Sequence, residues 1–423
     1  MSKTSFTART ALALGRFLAR LSPRAHSLAE PLLRRAAAET PKAEAWLAYV
    51  EGLRASARGD EQEALAKLRA ASVGLRDEAG VAVALALALA NADQWEVAIE
   101  AGERALKFFE EAGSWTQPWN MLAWSYLITG RYASVMELMQ RMRDAGLSLA
   151  PVQLPVLLAR AVLWDEEPPI PVLRSLLRRS AGHEGAWLRF VEHLAETGGH
   201  DDLATMLLAQ VPTSAAVSAL ERLAAKAAEA NKPELVLWCA NALRRLELAP
   251  ELSLALASIA SLAAGEDKAA ATYARKAAEL GPEQTAVQEH LALVWFLLGD
   301  ETQARSAAAK ALLLGSRDAL CAGLVAVGLL EKGEVREARR LFVVQRLGYA
   351  LGALVGHLAQ AWIFAADGDA SDLARVLGFA VNACRDLPAW TRRAELRAFA
   401  ERCLDGVARL APEEAEEENF AAL

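Results

Sequence analysis

The chain has 423 residues, 54% of them apolar, four cysteines and a formal net charge of −7. Mild acidity argues against a nucleic-acid binder, which carries a basic patch or stripe. Cys239, Cys321, Cys384 and Cys403 lie far apart in apolar stretches and form no CxxC pair, which predicts buried thiols in a reducing compartment. β-branched runs and Asn-Gly hairpin signals are nearly absent, so the chain reads as all-α.

One register organises the predicted elements. Gly265, Gly299 and Gly333 are 34 residues apart, as are Ala270, Ala304 and Ala338, and as are Ser258, Ala292 and Ala326. A period of this length is that of a two-helix repeat, helix A followed by helix B. With Glu251, Thr285 and Ala319 as position 1, positions 8 and 20 are small where the two helices cross. Position 15 is glycine because the chain must leave helix A through a conformation that side chains resist. Glu266, Asp300 and Glu334 then open helix B as N-cap or first-turn charges.

In chain order, residues 1–29 hold Lys3, Arg9, Arg16, Arg20 and Arg24 and no acid. This suits a basic targeting or membrane-surface helix. It suits equally helix A of an atypical first repeat, with Ala29, Leu33, Ala36 and Pro41 at positions 20, 24, 27 and 32. The second reading is preferred, because terminal repeats are usually deviant caps. No secretory signal is legible, since Arg16 and Arg20 interrupt the apolar run. Residues 1–44 are therefore expected to be a divergent repeat or cap, and 45–149 a first lobe.

Units starting at Ala45 and Ala79 follow in register. Asp60 and Glu63 have capping-box spacing, and Asp93 replaces a turn glycine, which predicts a tight or strained turn. The next unit starts at Thr116 and contains Trp119, Leu122, Ala123 and Tyr126. From 150 to 183, Pro151, Pro155, Pro168, Pro169 and Pro171 predict short helices in a divergent repeat or a joint between lobes. A second lobe spans 184–387: weak units near Glu184 and Ala216, the three strong ones, and one from Leu354. Residues 347–366 carry no acid or base other than His357, long enough to raise a membrane span. The periodicity instead divides them into a helix end, a turn with Gly348 and Gly352, and a helix Leu354–Ala366. Residues 388–410 form a capping helix with Leu396, Phe399, Cys403, Val407 and Leu410 as its apolar stripe. An acidic tail, 411–423, closes the chain.

Trp119, Leu122, Ala123 and Tyr126 reproduce W-x2-L-(G/A)-x2-Y, and with the period of 34 the chain resembles the tetratricopeptide repeat family. The resemblance implies a right-handed α-solenoid of about eleven helix pairs with a C-terminal capping helix. It implies a non-catalytic scaffold or adaptor for another protein, in the setting of a bacterial surface-structure, secretion or motility assembly. In such folds helix A lines a groove through positions 2, 5, 9, 12 and 13. Those positions place Trp46, Tyr49 and Leu53, Val83 and Leu87, and Asn120, Trp124 and Ile128 on the first part of the wall. Trp164, Ile259, Glu289, Leu293, Val327, Leu358 and Trp362 continue it. A wall this apolar suits a partner's helix or extended apolar segment. A carboxylate clamp would need Lys, Arg and Asn there, and only Asn120 fits.

Two states of that wall remain open: an exposed groove, or core closed between successive repeats. The expectation set on the open groove is that Trp124→Ala leaves the melting temperature nearly unchanged but abolishes partner capture, whereas Trp119→Ala, at position 4 and in the core in either state, lowers it.

The chemistry-bearing motifs are missing: no GxxxxGK[ST], HExxH or GxSxG. His193, His200, Asp201 and Asp202 are near neighbours, but without an i,i+4 pair they read as a helix end and a solvated turn. No catalytic site, metal or cofactor is expected, and no nucleic-acid partner. The expected location is cytoplasmic. The alternative is a peripheral protein of the inner membrane, touching lipid through the basic N-terminal helix and residues 347–366.

Overall fold

The computed structural model describes residues 6–21, 26–109, 117–166, 168–179, 184–342 and 350–411. They hold twenty-three α-helices and no β-strand. The helices read as eleven consecutive pairs, from Phe6–Leu21 with His26–Ala37 to Ala350–Asp367 with Ala370–Arg385, followed by a terminal helix, Ala394–Leu410. This is the all-α arrangement of helix pairs that the period of 34 predicts.

Local chemistry explains where each helix stops and starts. Gly265, Gly299 and Gly333 all adopt φ of +80°, the left-handed turn that a side chain resists. Asp93, Asp165 and Asn231 hold the corresponding turns in other pairs at φ of 58°, 52° and 56°, a conformation that Asp and Asn tolerate best. Helix starts are capped: Asp60 accepts the Glu63 N–H at 3.0 Å and Asp300 that of Gln303 at 3.1 Å. At the helix crossings, Ser258, Ala292 and Ala326, with Ala270, Ala304 and Ala338, are all fully buried.

The W-x2-L-A-x2-Y motif is structural. Trp119, Leu122 and Ala123 are buried, and the Tyr126 hydroxyl donates to the Glu103 carboxylate, which Arg141 also holds at 3.1 Å. Burial and the Glu103 charge both push the Tyr126 pKa up.

The chain divides into two compact units, Met1–Leu203 and Ala204–Leu423. The division falls beyond the proline-rich segment in which the sequence places a joint. That segment is a short pair, Gln153–Trp164 and Ile170–Arg179. Its prolines sit at helix starts, with Pro151 in a 3-10 turn and Pro155 and Pro171 in first turns, where the missing N–H costs little.

In the first unit, the N-terminal helix Phe6–Leu21 packs as part of the opening pair. Gly15 lies against Leu33, and Arg16 pairs with Glu78 at 3.3 Å and covers the Trp46 ring at 5.5 Å. Lys3, Arg24 and residues 412–423 of the acidic tail lie outside the described residues. In the second unit, the helix predicted from Leu354 begins at Ala350. Gly352 is therefore inside it rather than in a turn, because it lets the backbone approach Leu320; Gly348 lies outside the described residues. The 18-residue helix Ala350–Asp367 is long and apolar enough to cross a membrane, yet 56% of it is buried, between Ala319–Leu330 and Ala370–Arg385.

His290, on the helix Thr285–Leu297, is buried, and desolvation lowers its pKa from 6.5 to about 4. Between those values the unfolded chain binds a proton that the folded chain refuses. The neutral form's contribution is thus complete above pH 6.5 and lost as pH falls towards 4. Its size is on the order of 3 kcal/mol. Urea unfolding should show a smaller stability loss from pH 7 to pH 4.5 in His290→Gln than in the parent chain.

Candidate functional site

The predicted wall is mostly closed. Trp46, Val83, Trp124, Ile128, Ile259, Leu293, Val327 and Leu358 are buried. Apart from Trp124, an edge of which borders the cavity described below, they pack against neighbouring helices and offer no open face to a partner. Trp46 shows how this comes about: Ala19, Ala29, Leu33 and Val81 pack round it, Tyr49 meets it edge-on at 5.7 Å, and Arg16 covers the rest. Tyr49, Leu53, Leu87, Asn120, Glu289 and Trp362 are half-buried, and Trp164 is 51% exposed. Glu289 accepts a hydrogen bond from Ser316. The Arg160 guanidinium lies 5.1 Å from the Trp164 ring.

Three of these residues do come together. In the first unit, a cavity of about 610 Å³ opens where successive A helices face one another. Leu87, Ala90 and Asn91 reach it from Ala79–Asn91, and Asn120, Met121 and Trp124 from Gln117–Ile128. Leu154 continues the wall, with Ala150 and Pro151 before it, while Leu176 and Arg179 close the far side. Leu87, Asn91, Asn120 and Trp124 stand at positions 9, 13, 5 and 9 of their repeats. Helix periodicity gathers those positions on one side of each A helix. The lining is mixed: apolar side chains stand beside polar groups that include the two Asn side chains and Arg179, whose guanidinium donates to Gln153 Oε1 at 2.7 Å.

The sequence reading missed Trp95, Met121, Leu154 and Arg179 in this recess. Asn91 was within reach of the position rule; Arg179 was not, because the prolines break the register of its pair.

Nothing in the recess is arranged for covalent chemistry. His193 lies elsewhere in the unit, with Nε2 3.0 Å from the Tyr132 hydroxyl, and burial lowers its pKa. The Cys321 and Cys403 thiols are pushed up by burial, so they stay protonated at neutral pH. Among the described residues, no group of three His, Cys, Asp or Glu side chains could hold a metal ion.

Fold and recess together define an all-α helix-pair repeat protein with a recess between A helices of its first unit. No family model matches the sequence, and no curated protein does. Solved helical structures align over long stretches at low identity. The APC/C hetero-tetramer Cut9-Hcn1 is 13% identical over 100% of this chain and 99% of that one, with a TM-score of 0.27. Naa15/Naa10 bound to HypK-THB is 11% identical over 97% and 79%, with a TM-score of 0.30. Yeast Tom70 is 14% identical over 88% and 86%, with a TM-score of 0.23.

Burial reverses the expectation for Trp124. Trp124→Ala and Trp119→Ala should each destabilise the chain by about 3–5 kcal/mol, whereas exposed Trp164→Ala should change stability by no more than about 0.5 kcal/mol. Guanidinium unfolding of the three variants separates these outcomes.

Proposed function

We propose that this chain is a non-catalytic protein-binding scaffold whose first unit takes an extended apolar segment of a partner into the recess beside Trp124. The observation that carries this reading is the recess itself. Residues at groove positions of successive A helices converge on one space lined by apolar side chains and by the polar groups of Asn91, Asn120 and Arg179. Its volume falls within the roughly 300–1,000 Å³ of binding pockets. That is room for a few side chains rather than a whole helix, whose diameter is about 10–12 Å. An extended segment would insert apolar side chains between Leu87, Trp124 and Leu154, leaving its backbone to Asn91, Asn120 and Arg179. The residues on offer suit recognition by shape and burial, and the polar groups are too few and too scattered for acid–base or nucleophilic work.

The test is a displayed peptide library panned on the full chain. Peptides rich in Leu, Phe and Trp should be enriched. Ala150→Trp, which fills the recess from an exposed position, should weaken the selected peptides at least tenfold while melting stays unchanged. Enrichment of acidic or basic peptides, or indifference to Ala150→Trp, would count against this reading.

A further inference from the structure

The terminal helix does more than close the last pair. Val407 packs among Ala361, Leu373 and Val376 of that pair, as a cap does. The segment before it, however, sits four pairs earlier, and from there the helix runs forward along the second unit to the last pair. The Trp390 indole N–H donates to the carbonyl of Ala228 at 2.8 Å. The Arg393 guanidinium donates to the carbonyls of Leu262 at 3.0 Å and Leu297 at 3.5 Å, and to the Asp267 carboxylate at 3.0 Å. Phe399 meets Phe296 edge-on at 5.3 Å. Arg402 grips Glu301 with two hydrogen bonds of 2.9 Å, and Gly406 lies flat on the Trp362 ring, where a Cβ would come within 2.3 Å.

These contacts share a logic that repeats along the unit. Each A helix ends in carbonyls carrying partial negative charge. Each following B helix begins with acids that its own N-terminus favours. Asp267 and Glu301 hold the same repeat position, 34 residues apart. The result is a row of negative sites at the A–B turns, beside apolar steps such as Phe296 and Trp362. Arginines suit it, since one guanidinium satisfies carbonyl and carboxylate together. Partial burial opposes ionisation of Glu301, but the hydrogen bonds from Arg402 and the charge of Arg305 hold its carboxyl below the usual range.

We propose that this row of A-helix ends is a helix-docking surface, filled here by the chain's own C-terminal helix, that accepts in its place an amphipathic, arginine-bearing helix of a partner protein. The surface is independent of the recess in the first unit. The partner is specified by what the row reads: two arginines spaced to meet successive repeats, an aromatic residue between them for Phe296, and a glycine or similarly small residue where Trp362 presses. The chain's own helix competes at the high effective concentration of a tethered ligand. Its hold combines a buried apolar stripe, Leu396, Phe399, Ala400, Cys403 and Val407, with arginine contacts that are partly open to water, Arg402 being 43% and Arg393 21% exposed at the side chain.

The experiment uses the full chain and a fluorescent peptide copying residues 388–411 with Cys403→Ser, read by anisotropy. Arg393→Ala with Arg402→Ala in the chain weakens the tethered helix and leaves the surface intact. That variant should bind the peptide at least tenfold more tightly than the parent chain, and a peptide lacking both arginines should bind neither. Hydrogen exchange on the parent chain is the second measurement: amides of Ala394–Leu410 should exchange at least tenfold faster than those of Thr285–Leu297. Equal protection of the two helices, or a variant that unfolds without binding peptide, would make the terminal helix plain core and overturn the proposal. A variant that dimerises with rising concentration would assign the surface to a second copy, which also overturns it.

Discussion

The close approach of helix A to helix B within each pair is the constraint on which the rest of the structure depends. Ser258, Ala292 and Ala326 meet the level of Ala270, Ala304 and Ala338 with no exposed surface, and a larger side chain at either place would force the helices apart. Because each pair is thin, the next A helix can reach over it and bury what the first presents. Ile259, Leu293 and Val327, all at position 9, disappear into the stack in this way. Leu87 and Trp124, at the same position in the first unit, instead border a recess. The difference lies in the proline-bounded pair that follows: Ile170–Arg179 has ten residues, about 15 Å of helix, and leaves space unfilled.

A second consequence of stacking is electrical. Equivalent helix ends recur at every pair, so partial charges that would be scattered in another fold fall into line. Asp267 and Glu301 sharpen that row, and Arg393 and Arg402 are the cations that read it. The first unit uses its charges differently. Glu103 ties Tyr126 to Arg141, and Arg189 links Asp93, which stands in a left-handed turn, to Glu192. There the ion pairs secure turns and motif residues rather than a docked helix.

The period, the turns and the caps were legible in the sequence because each is a local requirement. Glycine at φ of +80°, an acid at a helix start and a small residue at a crossing are demanded by the backbone within a few residues of themselves. So was the number of helix pairs, down to the atypical first one that buries Ala29, Leu33 and Ala36. Even the divergent stretch was marked, by its prolines.

What the sequence could not decide was which faces remain open. A repeat position says on which side of its helix a residue lies and is silent about what comes to cover it. Trp46 is closed by Arg16 and Tyr49, Trp362 by Gly406, and Trp164 is left in solvent. The terminal helix was recognisable as amphipathic, with Leu396, Phe399, Cys403 and Val407 inward, although Leu410 proves exposed. Its course was not recognisable, because Trp390 and Arg393 find partners 162 and 131 residues away. Local rules set the repeats; only packing at such separations determines whether a repeat's surface is core, recess or docking row.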